Sequence, residues 1–153
     1  MSKDFSELLN GAPEGWLQAM AVTITLATSD EVRAELTVGP QHLQSYGIVH
    51  GGVHCGLIES LASIGAALFA APRGHHVVGL ENNTSFVRAV RPGATLHAVS
   101  TPITRGRRTQ VWEARVLDDK DQIVATGRVR LLCMEADQAL AGEQVRGVLH
   151  PAS

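Results

Sequence analysis

A carboxylate and a hydroxyl stand close together in the middle of the chain, on a stretch that otherwise carries no charged side chain. Glu59 is the only Asp, Glu, Lys or Arg between His50 and Pro72, and Ser63 follows it by four residues. On a helix, residues four apart share one face. A carboxylate beside a hydroxyl can hold and activate a water molecule, or it can attack an electrophilic carbon itself. The pair therefore predicts a hydrolytic site that requires no metal ion.

The residues before Glu59 supply hydrogen-bond donors that suit a carbonyl group. His50 precedes Gly51 and Gly52, and the two glycines leave the first N–H groups of the following helix accessible. Such N–H groups, at the positive end of a helix, can bind an oxyanion. Gln44 adds a side-chain amide a few residues earlier. Together, the donors and the carboxylate suit the transfer of an acyl group to water.

Helix geometry keeps these groups apart within one chain. Gly51 and Glu59 are separated by about 12 Å along a single helix, which is too far for both to contact one small reacting group. A two-fold axis that lays two copies of the helix antiparallel would bring Gly51 of one copy beside Glu59 of the other. The sequence thus predicts two composite sites in an oligomer.

The apolar periodicity predicts one long helix and six strands in the order β-β-α-β-β-β-β. Strands are predicted at residues 22–26, 31–38, 76–87, 95–104, 110–117 and 122–131, and the helix at 50–72. Short links between the later strands favour an antiparallel sheet in an α+β fold. Because the helix is apolar on nearly every face, one sheet cannot cover it. The rest must be covered by the N-terminal segment or by a second subunit, and the sequence favours the subunit.

Composition and charge are those of one globular domain. The chain has 153 residues, of which 44% are hydrophobic, and a net charge of -2, whereas a nucleic-acid surface is usually strongly basic. Cys55 and Cys133 have no metal or redox spacing. Residues 1–4 lack the layout of a signal peptide, and no uninterrupted apolar run reaches about 18 residues. We therefore expect a cytoplasmic protein that binds neither nucleic acid nor membrane.

The spacing of these residues resembles a known family. Gln44, His50-Gly51-Gly52, Glu59 and Ser63 stand in the register of the hotdog-fold acyl-CoA thioesterases, and the similarity continues through residues 83–88. The nearest resemblance is to the 4-hydroxybenzoyl-CoA thioesterase group and the phenylacetate-pathway enzymes. It implies that residues 1–135 form one hotdog domain, a long helix wrapped by an antiparallel sheet, followed by a loosely ordered tail at 136–153.

The resemblance also implies roles for these residues. Gln44 and the Gly51 N–H would contact the thioester carbonyl, and Glu59 of the partner subunit would be the nucleophile or general base. Ser63 would help to place the acyl carbon or water, and His50 would be mostly structural. The family implies a homodimer that assembles into a homotetramer. No cofactor is implied, because coenzyme A is part of the substrate.

Basic residues offer sites for the phosphates of coenzyme A. Arg88 and the turn at residues 105–108 present guanidinium groups, which recognise phosphate well, although a solvated basic turn is the alternative. The residues expected to contact coenzyme A or the acyl group are Gly52, Asn83, Thr84, Arg88, Arg107, Arg108 and Thr109.

Four other functions fit parts of the same pattern less well. His50 and His54 stand at helical spacing and could bind a metal, but no third ligand is evident. Ser60 and Ser63 lie in no Gly-x-Ser-x-Gly elbow, which argues against a serine esterase. A hydratase or dehydratase would need Glu59 to pair with His54. A non-catalytic acyl-CoA-binding module would use the same pocket without requiring Glu59.

Overall fold

The computed structural model describes residues 2–11 and 15–145 and shows six strands and three helices. The strands are β1 (Thr23–Ala27), β2 (Val32–Thr37), β3 (His75–Phe86), β4 (Thr95–Arg105), β5 (Thr109–Leu117) and β6 (Ile123–Glu135). The helices are α1 (Ser6–Gly11), α2 (Gly15–Ala19) and α3 (Gly51–Ala70). The predicted order β-β-α-β-β-β-β is confirmed. The two short helices that precede β1 were not predicted.

The strands form a single antiparallel sheet in the order β1-β2-β4-β5-β6-β3, and α3 packs against one face of it. β1 and β3 are therefore the two edges of the sheet. β2 alternates strictly between buried and exposed residues, as predicted for a strand with one face on the core.

The helix α3 is the core helix of the fold. The His50 side chain caps its first turn, and the chain leaves it through a short 3-10 turn at Ala71–Arg73 that ends on Gly74 in the left-handed conformation, with φ 75°. By length and composition the segment Gly51–Arg73 could cross a membrane, but 61% of its apolar 18-residue stretch is buried within the fold. The sheet encloses it instead.

One strip of α3 is left uncovered by the sheet, as expected for a helix that is apolar on nearly every face. Twelve residues of the helix are buried. The half-buried residues Cys55, Gly56, Glu59, Ser60 and Ser63 fall on one side of the helix. Part of that strip is covered by the N-terminal segment, because the indole of Trp16 lies directly on Gly56.

β1 differs from the predicted alternation. The predicted pattern pointed Leu26 toward the core beside Ile24, but a register shift lies between these two residues. As a result Ala27 is fully buried and Leu26 is only partly buried. A bulge of this kind moves later side chains to the opposite face of a strand.

β3 continues without interruption through Asn82 and Asn83, although asparagine is disfavoured inside a strand. Because β3 is an edge strand, most of its residues are exposed or half-buried, and polar side chains are tolerated there. Leu80 and Phe86 are exposed on the same strand, and Val87 directly follows it.

The chain beyond β6 is described only to residue 145. The Ala136 N–H donates a hydrogen bond to the Gly74 carbonyl, so this turn lies beside the end of α3. Residues 146–153 lie outside the described residues, and the loosely ordered tail at 136–153 stays a prediction.

Candidate active site

The first turn of α3 presents one free backbone donor. The Gly52 N–H donates to His50 Nδ1 at 2.8 Å, and the His50 N–H donates to the His42 carbonyl at 2.8 Å. Within the described residues the Gly51 N–H has no acceptor. A Cβ on Gly51 would lie 2.8 Å from Cζ of Phe86, so a larger residue here would require the exposed Phe86 ring to move. His50 thus shapes the helix start and leaves the Gly51 N–H for a ligand.

Gln44 lies in a tight loop that orients its amide. Its N–H donates to the Ile48 carbonyl at 2.9 Å, and its own carbonyl accepts from the Gly47 N–H at 2.9 Å. Gly47 has φ 69°, a left-handed conformation that favours glycine. The Tyr46 N–H donates to Gln44 Oε1 at 2.6 Å. Since Oε1 is engaged, the Nε2 amide is the group of Gln44 that remains as a donor to a carbonyl.

The carboxylate of Glu59 is half-buried and held against β3. Asn82 Nδ2 donates to Glu59 Oε2 at 3.1 Å and also to the Cys55 carbonyl at 3.0 Å. Ser63 Oγ lies 3.5 Å from Oε1, at the long end of hydrogen bonding. A Cβ on Gly79 would lie 2.5 Å from Oε1, so a glycine provides the space for the carboxylate. Glu59 is thus a partnered carboxylate in a fitted niche.

Asn82 and Gly79 are site residues that sequence reasoning missed. Thr84 Oγ1 donates to Asn82 Oδ1 at 2.6 Å, which turns the amide so that Nδ2 faces Glu59. Both Asn and Gly are disfavoured inside a strand, and that was the available signal. The sequence marked Asn83 instead, but alternation places Asn83 on the opposite face from Thr84, in an outer cavity of about 660 Å³.

The candidate phosphate-binding arginines lie at opposite ends of α3. Arg88 is exposed and follows β3 beside the start of the helix, where Val49 bonds Val90. Arg107 borders a cavity of about 220 Å³ at the other end of the helix, near Arg73. The helix has 20 residues, so these ends are about 30 Å apart. Arg108 and Thr109 continue the same hairpin tip as Arg107.

Arg105 belongs to the fold rather than to the open basic turn. Its Nη1 donates to the Ser29 carbonyl at 2.9 Å and to Asp30 Oδ1 at 2.7 Å, and its guanidinium stacks on Phe69. Hydrogen bonds from Ser2 and Arg105 hold the pKa of the Asp30 carboxyl below its usual range. Only Arg107 and Arg108 of this turn therefore remain for a ligand.

His54 is buried and separate from the carboxylate. Burial lowers its pKa to about 4, so its ring is neutral at pH 7. Within the described part of the chain its Nδ1 has no hydrogen-bond partner, and its ring lies against Phe86. His54 therefore makes no pair with Glu59. Among residues 2–11 and 15–145, no group of three or more His, Cys, Asp or Glu side chains is arranged to bind a metal.

The structure confirms that the carbonyl donors and the carboxylate do not meet within one chain. Gly51 contacts Phe86, whereas Glu59 contacts Asn82, four residues earlier on the same strand. Four residues of a strand span about 13 Å, which agrees with the helical separation of about 12 Å. Each chain therefore places Gly51 and Glu59 at two separate positions along β3, which are called the two candidate half-sites.

Comparison with known proteins places the chain in a family. The family model described as "Thioesterase superfamily" matches residues 46–125, just over half of the chain. The Rv1847 protein of Mycobacterium tuberculosis (strain ATCC 25618 / H37Rv) is 46% identical over 109 residues, which cover 70% of this chain and 77% of that protein. The 1,4-dihydroxy-2-naphthoyl-CoA hydrolase of Escherichia coli (strain K12) is 31% identical over 124 residues, 80% of this chain and 90% of that enzyme.

Solved structures agree with this assignment. The Mycobacterium tuberculosis Rv1847 structure has a TM-score of 0.77 at 42% identity and covers 79% of this chain and 97% of its own. A thioesterase from Haemophilus influenzae has a TM-score of 0.79 at 27% identity, with 88% of this chain and 93% of that chain covered. The chain belongs to the thioesterase superfamily and is a hotdog-fold thioester hydrolase.

Proposed function

We propose that the chain hydrolyses acyl-CoA thioesters with an aryl or medium-length acyl group, and that Glu59 is the nucleophile or general base. The observation that carries this proposal is the niche of Glu59. Its carboxylate is the only charged group on α3, Asn82 orients it, and Gly79 gives it space. A carboxylate fixed in this way, with a hydroxyl beside it, is suited to accept a proton from water or to attack a thioester carbon.

The same groups account for each step of hydrolysis. As a general base, Glu59 takes a proton from water while the water oxygen bonds to the carbonyl carbon. The Gly51 N–H and the Gln44 amide stabilise the resulting oxyanion. The C–S bond then breaks, and coenzyme A leaves with the proton that Glu59 had accepted. As a nucleophile, Glu59 would instead bond to the carbonyl carbon while the C–S bond breaks and coenzyme A leaves as the thiolate. Water would then hydrolyse the resulting anhydride to the free acid and the Glu59 carboxylate, and a proton from that water would neutralise the thiolate. Neither route needs a cofactor.

A homodimer through β3 would complete the site. β3 is an edge strand of 12 residues, and Leu80 and Phe86 expose apolar side chains on it. Unpaired strand edges are ready to pair with a second copy. A two-fold axis at this edge lays the two β3 strands and the two α3 helices antiparallel, so that Glu59 of each chain faces the Gly51 end of the other. Two such dimers would form the expected homotetramer.

Two exposed groups of arginines lie along this interface. With Glu59 of one chain opposite Gly51 of the other, the C-terminal end of one α3 would extend about 16 Å beyond the N-terminal end of the other, so Arg107 and Arg108 of one chain would lie on the same side of the dimer as Arg88 of the partner chain but further from the two-fold axis. Both groups are exposed and carry free guanidinium groups suited to phosphate. We propose that these arginines bind the phosphates of coenzyme A. We also propose that the enzyme is cytoplasmic.

Hydrolysis of a small panel of aryl-CoA and fatty-acyl-CoA thioesters tests the proposal, with free thiol as the readout. We expect Glu59→Gln to reduce kcat by at least about 100-fold while substrate still binds, because the variant keeps the shape of the side chain and loses the base. Glu113→Gln is the matched control, since Glu113 is exposed on the outer face of the sheet. Equal rates for Glu59→Gln and wild type would overturn the role of Glu59.

A further inference from the structure

We propose that Trp16 forms one wall of the acyl-binding site and sets a limit on the length of the acyl group. This inference rests on the proposed function, because it takes Glu59 as the group that meets the thioester. Trp16 lies in α2, outside every residue that the sequence pattern marked for chemistry.

The strip of α3 that carries Glu59 is built from small residues. At about 100° per residue, its members Cys55, Gly56, Glu59, Ser60 and Ser63 lie within an arc of about 140° on the helix, and all are half-buried. Gly52, which is exposed, lies on the same side at the start of the helix. Neighbouring positions on the sheet side, such as Val53 and Leu57, are buried. The strip therefore leaves a shallow lane along the helix on either side of the carboxylate.

The indole of Trp16 closes this lane at Gly56. A Cβ on Gly56 would lie 2.6 Å from Cε2 of Trp16 and 2.7 Å from its Cη2, so the ring rests on the bare helix backbone. Gly56 precedes Glu59 by three residues, a rise of about 4.5 Å. The indole thus covers a helix position that lies within one turn of Glu59. An acyl group that extends from Glu59 toward the start of α3 must meet this ring.

The backbone that carries Trp16 is held by the fold. The Met20 N–H donates to the Trp16 carbonyl at 2.9 Å, which closes α2. The ring of His42, which has no exposed surface, donates from Nε2 to the Met20 carbonyl at 2.8 Å and accepts the Gly39 N–H at Nδ1. An imidazole with both nitrogens bonded anchors the backbone that carries Trp16. The indole is therefore presented to Gly56 from an anchored segment.

An indole in this position has a definite consequence for substrate choice. Its face offers a flat apolar surface on which an aromatic acyl group can stack, and its bulk blocks a long flexible chain. We therefore expect aryl and short acyl groups to be hydrolysed with higher kcat/KM than long straight chains.

The test is the ratio of kcat/KM for dodecanoyl-CoA to that for benzoyl-CoA. We expect Trp16→Ala to raise this ratio at least about tenfold, chiefly through a lower KM for the long chain, because pocket changes of a few methylene groups discriminate on this scale. Leu17→Ala is the matched control, since Leu17 also lies in α2 and packs on the core but does not rest on Gly56. It should leave the ratio unchanged.

A second variant and a spectroscopic readout guard against unfolding. Trp16→Phe keeps an aromatic ring and should raise the ratio less than Trp16→Ala. Trp112 is fully buried, so the emission that Trp16→Phe removes belongs to the indole beside the proposed site. A non-hydrolysable aryl-CoA thioether should quench or shift that component at saturation.

The outcomes separate the two proposals. If the wild type hydrolyses thioesters and all variants have the same kcat/KM ratio as the wild type, the role of Trp16 alone would be overturned. An equal change of ratio in Leu17→Ala would also overturn it. Wild type that hydrolyses none of the thioesters would refute the proposed function, and an unaltered Trp16 emission on saturation with the thioether would then refute the wall as well.

Discussion

At the scale of single residues, the properties of Glu59 depend on side chains and spaces that surround it. Asn82 donates to Oε2, Thr84 orients Asn82, and Gly79 leaves the volume that Oε1 occupies. None of these three residues could carry out hydrolysis. They define where the carboxylate points, and they make its position testable independently of its charge.

We predict that Asn82→Ala lowers kcat by about 10- to 100-fold, because a hydrogen bond to a charged group contributes about 1.5–3 kcal/mol. The KM should change little, since the Gly51 N–H and Gln44 remain. Ser85→Ala is the control, because Ser85 lies on the same strand but lines the outer cavity. Steady-state kinetics that gave equal kcat for both variants would contradict the orienting role of Asn82.

His54 makes a second residue-level prediction, on stability. Its pKa is about 4 in the fold and 6.5 in the unfolded chain, so between these values the unfolded chain binds more protons. Stability should therefore fall as pH decreases from 6.5 to 4, by about 3 kcal/mol in total from this residue.

Urea unfolding at several pH values between 7 and 4.5 measures this effect. Because Asp4, Asp30 and Asp118 also have lowered pKa values, the difference between wild type and His54→Leu isolates the contribution of His54. The variant should lose less stability on acidification. Identical pH slopes would show that the imidazole is not titrating as its burial requires.

At the scale of elements, the long helix and the later strands were predictable because their periodicity is strong. β2 and β5 alternate cleanly, and only one face of each meets the core. In β1, the prediction that Leu26 faces the core was wrong, because a bulge shifts the register of the strand. A bulge depends on pairing with β2 rather than on local sequence. Tertiary pairing, and not propensity, decided that strand.

The missed parts of the candidate site have the same cause. Gln44, Gly51 and Glu59 stand out in the sequence because polar or glycine residues interrupt a regular pattern there. Asn82 becomes a neighbour of Glu59 only after β3 folds back along α3, and Trp16 reaches Gly56 only after α2 docks. Neither contact has a local signal. Sequence reasoning therefore found the candidate reacting groups and missed the residues that contact them in the folded chain.

At the scale of the whole molecule, the proposed active site combines Gly51 and Gln44 of one chain with Glu59 of a second chain. We predict that Leu80→Arg weakens the dimer and lowers activity in parallel, because a charge on an edge strand opposes pairing with another copy. Leu80 is exposed on the edge, and Ile103 is similarly exposed on β4, so Ile103→Arg is the control. Ultracentrifugation gives the mass, and thioester hydrolysis gives the activity. A fully active monomer would refute the composite site.

Mixing two inactive variants tests the same point without disturbing the interface. Glu59→Gln and Gln44→Ala should each be nearly inactive as homodimers. A mixed dimer has one site with both groups intact, so random exchange should restore about a quarter of wild-type activity. Restoration that stays at the level of the separate variants would mean that each chain contains its own complete site.

Because of the hydrogen bond between His42 and Met20, substitutions in the N-terminal segment can occur independently of substitutions around Glu59. The ring of His42 bonds a backbone carbonyl, so the anchor does not depend on which side chains α2 carries. The N-terminal segment can therefore exchange its side chains while its backbone stays in place beside Glu59. Preference for one acyl group or another can diversify there by single substitutions, while Glu59 on α3 and its partner Asn82 on β3 stay the same.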